Sequence, residues 1–356
     1  MSQPNHRETT KKIKVGNVLI GGGAPISVQS MTKTDTTDID ATVKQINALE
    51  TAGCQIVRCA IPSKEAALAI KEIKKQINLP LVADIHFNHE FAVLAANAGA
   101  DKLRINPGNI GDSAKIKAVV EAAKNHGIPI RVGVNSGSLE TKVRKEHQGH
   151  VTAEGLVESA LNNVKILEDL NFTEIVISIK STSVPMLIKA HQIIAGKTIY
   201  PLHIGVTEAG IPSVGVVRSS VGIGAILTQG IGDTLRVSLT GDPLEEVRVG
   251  YEILKSLQLA SHGVSVISCP TCGRTNIDVE KIATAIEVKT RHIKQPLIVA
   301  IMGCEVNGPG EAADADVGLA GGKGVGLIFR EGQVVRKVAE AEMINALLEE
   351  IERRTK

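Results

Sequence analysis

Apolar and polar positions over most of the chain repeat in one rhythm, a short apolar segment followed by a longer amphipathic one. The short segments are PISVQSM, QIVRCAIP, LVADIHFN, KLRINPG, IRVGVNSG, EIVISIKS, LHIGVTEAG and TLRVSLTGDP, and they predict strands. The longer segments have a helical period, as in NHEFAVLAANAG, where Phe91, Leu94, Ala95 and Ala98 recur at i, i+3, i+4 and i+7. Eight such units in roughly 260 residues predict an α/β fold, a (β/α)8 TIM-type barrel.

Within the predicted strands, alternate positions form an apolar and a polar set, which helps to decide between a barrel and a doubly wound open sheet. The apolar set should face the covering helices, and it comprises Val57, Ile61, Ile85, Phe87, Leu103, Ile105, Val132, Val134, Ile177, Ile179, Leu202, Ile204, Val206, Leu235, Val237 and Leu239. The polar set comprises Gln29, Arg58, Asp84, His86, Arg104, Asn106, Arg131, Asn135, Ser178, Lys180, His203, Arg236 and Ser238. Bulky branched residues ordinarily fill a barrel, and a buried unpaired charge is costly, so the polar set predicts a lined pocket.

Cations dominate the polar set and lie toward the carboxyl ends of the strands, where barrel enzymes build their active sites. This pattern predicts a cavity for an anion, such as a phosphate or diphosphate. The candidate substrate-binding residues are Arg58, Arg104, Arg131, Asn135 and Lys180. Some charges could instead neutralise each other, for example Asp84 with Arg58 or Arg104, and Arg236 and His203 are the members most expected to be structural.

The rhythm stops at LASHGVSVIS, which predicts a domain boundary near residue 262. Residues 1–262 would form the barrel, and residues 263–356 a small α+β domain. The second domain should contain a hairpin, GVGLIFREGQVV, and a terminal amphipathic helix with Ile344, Leu347, Leu348 and Ile351 on one face.

Three cysteines in the predicted second domain suggest a metal centre. Cys269 and Cys272 form a Cys-x-x-Cys pair in SCPTCGRT, and Cys304 follows an apolar strand in GCEVNGPGE. This part of the chain has one histidine, His292, and no fourth cysteine, which leaves Glu305 and Glu311 as candidates for the fourth ligand. Three soft thiolates and a displaceable carboxylate suit an iron–sulfur cluster. A zinc site with three Cys and one His, or a redox dithiol with Cys304 incidental, are the alternatives.

Composition narrows the function further. The net charge is only +2 without basic runs, and the six aromatic residues (four Phe, two Tyr) offer few stacking surfaces, so no nucleic-acid partner is expected. The N-terminal MSQPNHRETTKK lacks an apolar signal region, and the longest aliphatic runs are too short to span a bilayer, so we expect a cytoplasmic protein without membrane association. Cys54 and Cys59 are predicted to be buried packing residues.

Eight segments of the chain, taken together, resemble the motifs of a known family. They are VQSMTKTDTTD, VRCAIP, ADIHF, LRINPGNIG, RVGVNSGSLE, GVTEAG, SCPTCGRT and GCEVNGPGE, and they span essentially the whole chain. The family is bacterial 4-hydroxy-3-methylbut-2-en-1-yl diphosphate synthase, of the non-mevalonate isoprenoid pathway. The resemblance implies a barrel and a second domain that binds one 4Fe-4S cluster. By motif position, the cluster ligands would be Cys269, Cys272, Cys304 and Glu311.

The resemblance also implies an activity, that of an iron–sulfur oxidoreductase. It would open and dehydroxylate 2-C-methyl-D-erythritol 2,4-cyclodiphosphate to 4-hydroxy-3-methylbut-2-en-1-yl diphosphate. Two electrons would arrive one at a time from flavodoxin or ferredoxin through the cluster. The family further implies a homodimer in which the cluster domain of one chain closes over the barrel of the other.

Loss of a hydroxyl group requires a proton donor. Glu208, in GVTEAG at the end of the seventh predicted strand, is the candidate catalytic acid, with His86 and Asp84 in support. Glu311 would take part in catalysis as a displaceable cluster ligand. The alternative for Glu208 is that it only orients a pocket arginine.

Two other classes of protein remain open at this stage. A non-redox barrel transferase, acting on a phosphorylated or pterin-like substrate, would use the same basic pocket and carry a structural zinc domain. A non-catalytic iron–sulfur scaffold would bind a cluster but leave the polar interior of the barrel unexplained.

Overall fold

The computed structural model describes residues 5–304 and 314–355. The strands are β1 Ile13–Val15, β2 Val18–Ile20, β3 Ser27–Met31, β4 Ile56–Ala60, β5 Leu81–Asp84, β6 Lys102–Ile105, β7 Ile130–Asn135, β8 Ile175–Lys180, β9 His203–Ile204, β10 Thr234–Leu235, β11 Val264–Ser268, β12 Leu297–Met302, β13 Val317–Gly322, β14 Val325–Arg330 and β15 Gln333–Ala339. The α-helices are α1 His6–Thr9, α2 Ile39–Thr51, α3 Lys64–Lys74, α4 His89–Asn97, α5 Pro107–Ile110, α6 Ser113–His126, α7 Thr141–Glu146, α8 Ala153–Asp169, α9 Val184–Ala195, α10 Pro212–Leu227, α11 Pro243–Ser256, α12 Val279–Thr290 and α13 Met343–Thr355. Short 3-10 helices cover Ser136–Ser138 and Glu340–Glu342.

Contacts divide the chain into two compact units, residues 1–260 and 261–356. The predicted boundary near residue 262 lies two residues from this division. Among the described residues, no helix is long and apolar enough to cross a membrane.

The first unit is a parallel β-barrel with helices between its strands. Its eight strands are ordered β8, β7, β6, β5, β4, β3, β10, β9. A parallel bridge between Ile177 and Leu202 joins β8 to the start of β9, so the sheet returns on itself. The predicted barrel is therefore confirmed, and the doubly wound open sheet is wrong.

Local sequence explains where the barrel helices begin. The side chains of Asp38, Ser63, Asn88 and Asp112 each accept a hydrogen bond from a backbone N–H of the first helical turn of α2, α3, α4 and α6. These caps satisfy donors that would otherwise lack partners, so each helix starts immediately after its strand loop.

The predicted apolar face of α4 is only partly correct. Ala95 is buried, but its buried neighbours are Ala92 and Ala96. Phe91, Leu94 and Ala98 are partly buried against the same core. Small side chains let the helix lie close to the strands, and the larger ones flank that contact.

Strand register separates the two sets of side chains as predicted. Inward positions pair with inward positions on the next strand, as in Asp84 with Arg104, Arg104 with Arg131, and Asn135 with Lys180. The apolar set is buried in the continuous core between strands and helices, with one exception. Phe87 is 72% exposed, because β5 ends at Asp84 and the alternation does not extend beyond it.

An N-terminal hairpin closes the amino end of the barrel. Strands β1 and β2 pair antiparallel, and their Val15 and Ile20 form an apolar cluster with Ile56 and Val82, near the starts of β4 and β5. The turn residue Gly16 has a φ of +55°, and a Cβ there would lie 2.9 Å from the Pro80 ring. Only glycine combines this backbone conformation with so close an approach.

The second unit is a mixed five-stranded sheet ordered β11, β12, β13, β14, β15. The first three strands are parallel, and β13, β14 and β15 are antiparallel, which confirms the predicted hairpin. Helices α12 and α13 pack against the sheet through an apolar cluster that includes Ile282, Val299, Leu319 and Leu347. In α13, Leu347 and Ile351 are fully buried, while Ile344 and Leu348 are partly buried against the same cluster.

Candidate active site

A cavity of about 570 Å³ lies at the carboxyl ends of the barrel strands. Of the residues predicted for the site, His86, Arg104, Asn135 and Glu208 line it. Sequence reasoning missed other polar lining residues that directly follow strands or belong to the loops beyond them, among them Asn109, Ser136, Ser181 and Thr207. A cavity of this size accommodates a small metabolite.

The remaining predicted barrel residues are buried in the barrel interior rather than at the cavity wall. Arg58, Asp84, Arg131 and Lys180 are between 1% and 8% exposed. Their register with Arg104 and Asn135 places them on the same inward face of the strands. The barrel residues predicted to bind the substrate or to supply a proton are thus brought together by the fold. Some of them line the cavity, and the others lie behind it in the barrel interior.

The carboxylate of Asp84 lies within ion-pair distance of three basic side chains. Its Oδ1 lies 3.2 Å from Arg104 NH1, and its Oδ2 lies 3.7 Å from Arg58 Nε and 3.4 Å from His86 Nε2. Burial alone would raise the pKa of Asp84, but Arg58, His86 and Arg104 outweigh it and hold the pKa well below its usual range. Asp84 is therefore an ionised carboxylate at neutral pH.

Positive charge remains in excess around this carboxylate. The pKa of Arg131 lies far below its usual value, mainly because of burial and then because of Arg58 and Arg104. The pKa of Lys180 is also well below its usual value, because of burial and then of Arg58 and Arg236. Arginine stays protonated in proteins, so the interior carries uncompensated cationic charge. An anion bound at the cavity would relieve this repulsion.

Several buried polar atoms in the barrel interior find no hydrogen-bond partner among the described residues. They are Gln29 Nε2, Lys102 Nζ, Arg131 Nε and both ring nitrogens of His203. The sequence analysis missed Lys102, although it shares the inward parity of Arg104 two residues later. Burial, with Arg131 and Arg58, lowers the pKa of Lys102 well below its usual value.

A second buried carboxylate, Glu246, was also missed. It lies on α11 and is fully buried, where it accepts bonds from Arg236 NH2 at 3.0 Å and from Ser30 Oγ at 3.0 Å. It also lies 3.4 Å from Lys33 Nζ. Arg236 is thus held by a structural ion pair, the role that the sequence analysis most expected for it.

Glu208 stands at the mouth of the cavity. It has a φ of +53°, unusual for a residue with a side chain, and is exposed. Among the described residues no hydrogen bond fixes its carboxylate. The loop that carries it is held instead by Arg218, whose NH1 donates to the carbonyl of Ala209 at 3.1 Å. Strained backbone held by its surroundings is frequent at functional sites.

The predicted thiol ligands of the second unit lie at the carboxyl ends of two neighbouring parallel strands. Cys269 follows β11 and Cys304 follows β12, and Ser268 pairs with Ile301. Gly303 N–H donates to Cys269 Sγ at 3.2 Å, and Cys272 N–H donates to Thr275 Oγ1 at 3.0 Å. Backbone and side-chain hydrogen bonds from Arg274 lower the pKa of the exposed Cys272 thiol.

This arrangement fits a thiolate-bound group in its donor chemistry, since hydrogen bonds to sulfur accompany cluster ligation. Within the described ranges no three His, Cys, Asp or Glu side chains approach closely enough to form a complete metal site. The predicted ligand Glu311 and its neighbour Glu305 lie outside the described residues.

The other two cysteines are packing residues, as predicted. Cys54 and Cys59 are buried in the barrel core. Burial raises the pKa of Cys54 to about 12 and that of Cys59 to about 11, so both remain thiols at neutral pH.

Comparison with known families finds matches to both units. The description "GcpE TIM-barrel domain" matches residues 10–251, and "GcpE protein C-terminal domain" matches residues 265–353.

Curated proteins similar to the chain are each named 4-hydroxy-3-methylbut-2-en-1-yl diphosphate synthase (flavodoxin). That of Caldanaerobacter subterraneus subsp. tengcongensis is 57% identical over 350 residues, which cover 98% of this chain and 98% of that protein. That of Symbiobacterium thermophilum is 57% identical, with 98% of this chain and 94% of that protein covered. That of Clostridium perfringens is 54% identical, with 98% and 99% covered.

Among solved structures, the barrel resembles the dihydropteroate synthase of Stenotrophomonas maltophilia with active-site-bound imidazole. The TM-score is 0.52 at 13% identity, over 70% of this chain and 97% of that chain. Similarity at this level of identity concerns the fold alone.

Proposed function

The chain belongs to the GcpE family, and from this membership we propose that it catalyses the reductive ring opening and dehydroxylation of 2-C-methyl-D-erythritol 2,4-cyclodiphosphate. The product is 4-hydroxy-3-methylbut-2-en-1-yl diphosphate. Two electrons and a proton enter, one hydroxyl leaves as water, and the opened diphosphate carries more negative charge than the ring. The zinc-containing transferase is not favoured, because the relatives are all named for the reductive enzyme.

The observation that carries this proposal is the excess of buried cations beside the cavity. Arg58, Arg104, Arg131 and Lys180 share the interior with one inward carboxylate of the strands, Asp84. A cyclic diphosphate is a compact dianion that these groups would neutralise, and Asn135 would add hydrogen bonds without charge. Because ring opening increases the negative charge, preorganised cations favour the product side of that step.

The acid and base roles follow from the environment of each group. Asp84 is ionised and held by three basic side chains, so it orients Arg58 and Arg104 rather than donating a proton. His86 is half exposed, lies next to Asp84 and lines the cavity, and it would assist in proton delivery. Glu208, exposed at the cavity and carried on strained backbone, is the proposed acid for the departing hydroxyl.

The proposal includes one 4Fe-4S cluster held by Cys269, Cys272, Cys304 and Glu311. The strand-end cysteines and the N–H bond to Cys269 Sγ support the thiolate part of this set. When bound, such a cluster supplies single electrons and a metal that polarises the C–O bond. The chain's own contribution there would be the thiolate side chains and a backbone donor, Gly303 N–H, to Cys269 Sγ.

Flavodoxin is the proposed electron donor, because the names of the similar curated proteins include the word flavodoxin. The cytoplasm is the expected location.

We further propose a homodimer in which two chains share each active site. An exposed apolar stripe on α10 supports association, formed by Val214, Val217 and Val221, which are 43%, 60% and 55% exposed.

Anaerobic purification tests the proposal. We expect about four irons and four acid-labile sulfides per chain, as a 4Fe-4S centre requires, and turnover of the cyclic diphosphate with reduced flavodoxin. Stoichiometric zinc without sulfide, and no turnover, would return the transferase to first place. A cluster whose spectrum ignores the cyclic diphosphate would favour the non-catalytic scaffold.

A further inference from the structure

A buried polar network connects two cavity loops to helix α8. Glu140 Oε2 accepts from Ser159 Oγ at 2.6 Å, and Glu140 Oε1 accepts from Asn163 Nδ2 at 3.1 Å. Asn163 Oδ1 in turn accepts from the backbone N–H of Gly108 at 2.7 Å. Ser159 and Asn163 are at most 2% exposed, and their bonds to Glu140 and Gly108 are partly buried.

Each end of the network reaches a loop that lines the cavity. Gly108 belongs to α5, the helix that follows β6. In the sequence, Gly108 lies between Asn106 and Asn109, which both line the cavity. Its N–H is shared with Asn106 Oδ1 at 3.2 Å, so the same contact orients the amide of Asn106. Glu140 follows the lining residue Ser136 on the loop after β7.

Helix α5 has four residues, too few to persist without tertiary contacts. Its position therefore depends on groups outside it, and the Asn163 amide supplies one at its first turn. The packing is tight, because a Cβ on Gly108 would lie 2.8 Å from Glu140 Oε1. A larger residue at position 108 would therefore require the Glu140 carboxylate to move away from this loop.

The polarity of the network is fully determined. Asn163 Nδ2 donates to both Glu140 Oε1 and the Ser159 carbonyl, the latter at 2.8 Å, which uses both amide hydrogens. Its single oxygen remains for Gly108. Both oxygens of Glu140 act as acceptors in this network, one for Ser159 and one for Asn163.

We propose that Glu140 and Asn163 are positioning residues for substrate binding, which hold the loop after β6 so that Asn106 and Asn109 face the bound diphosphate. The inference rests on the proposed function, in that it deepens the account of the same cavity. Neither residue lines the cavity itself. Their effect would pass through Gly108 and the loop that carries it.

The test uses variants that change polarity without changing shape. Asn163→Asp removes the donor both to Glu140 and to the Ser159 carbonyl and places a second carboxylate beside Glu140, so we expect KM for the cyclic diphosphate to rise at least about fivefold, the effect of one or more lost hydrogen bonds. The kcat should change less than twofold, because the acid and the cations stay in place. Glu140→Gln should be milder, since the Ser159 hydroxyl can turn to accept from the new amide.

The double variant Glu140→Gln/Asn163→Asp restores a donor between the two positions but not the bond to the Ser159 carbonyl, so KM should return only part of the way toward the wild type. Rescue of this kind distinguishes positioning from simple destabilisation. Tyr200→Phe is the matched control, because the Tyr200 hydroxyl donates to Glu168 near the other end of α8 at 2.9 Å. This control should lower the Tm and leave KM unchanged.

Hydrogen exchange supplies a readout that does not depend on activity. The Gly108 amide should exchange faster in Asn163→Asp than in the wild type, and slowly again in the double variant. Unchanged KM in Asn163→Asp, or a double variant worse than either single one, would overturn the inference. A wild type that fails to turn over the cyclic diphosphate would sink the proposed function instead, and the exchange data would still report on the network.

Discussion

Arg104 and Asp84 face each other from neighbouring strands, with Arg104 NH1 3.2 Å from Asp84 Oδ1 and both side chains at most 8% exposed. Asp84 also lies within 3.7 Å of Arg58 Nε. One carboxylate therefore holds two of the cations proposed to bind the diphosphate. Its loss would affect both the stability of the barrel and the shape of the anion site.

Substitution of this carboxylate should be costly. In Asp84→Asn we expect the free energy of unfolding to fall by roughly 2–4 kcal/mol, because two buried arginines lose their counter-charge. Chemical denaturation measures it. In the control Asp169→Asn, which removes an exposed i, i+4 pair with Lys165, the change should stay below about 0.5 kcal/mol. Equal effects in the two variants would contradict the importance of the buried pair.

The lowered pKa of Asp84 gives that contribution a defined pH range. In the unfolded chain this carboxyl takes up a proton near its ordinary pKa, whereas in the folded protein it stays ionised to lower pH. At a pH between these two pKa values, the unfolded state therefore binds more protons than the folded state. The stabilisation is complete above about pH 4, the ordinary aspartate pKa, and declines as the pH falls further. The difference in unfolding free energy between wild type and Asp84→Asn should therefore shrink below about pH 4. A difference that grows on acidification would oppose this assignment.

Removal of a buried cation should weaken catalysis without loss of the metal centre. Arg131→Ala is expected to lower kcat/KM roughly 30- to 1,000-fold, because one of the buried positive charges that would neutralise the diphosphate is lost. Iron and sulfide contents should match the wild type. Arg336→Ala, which removes an exposed partner of Glu349, serves as the control and should retain full activity.

A change at the proposed acid should act on the chemical step. Glu208→Gln keeps the size of the side chain and removes its proton, so we expect kcat to fall about 100-fold or more with KM within about threefold. Glu208→Asp should recover part of the rate. Steady-state kinetics across pH measure both, and a rise in KM alone would indicate that Glu208 only orients an arginine.

The proposed sharing of active sites between two chains predicts the outcome of mixing variants. Arg131→Ala should be strongly impaired and Cys304→Ala inactive, but mixing and re-equilibrating them should restore activity above that of Arg131→Ala alone, through one intact composite site. Arg131→Ala mixed with Lys180→Ala, two barrel variants, should restore none. Failure of the first mixture would show that each chain works alone.

The fold was predictable because its pattern is local. Alternation with period two within each strand marks the residues that face the barrel interior, and this rule placed Arg58, Arg104 and Arg131 correctly. The same rule failed at Phe87, which lies beyond the end of β5. A parity rule holds only while the chain stays extended, and the sequence does not mark that end sharply.

Residues that act through distant partners were not predictable. Glu246 meets Ser30 across 216 positions of sequence, and Gly108 meets Asn163 across 55. No periodic pattern connects such pairs, since each residue is individually an ordinary helix or loop residue. Lys102 was within reach of the parity argument, because it begins the strand that carries Arg104.

The hairpin of β1 and β2 closes the amino end of the barrel with Val15 and Ile20, so the interior communicates with solvent at the carboxyl end. In the part of the chain that the structure describes, the cavity lies at that end, so substrate and product would have to pass through it in turn. A diphosphate product that has not departed would block the next cyclic diphosphate, so we expect the product to be a competitive inhibitor. Release of the more highly charged product from the buried arginines would then set an upper limit on turnover.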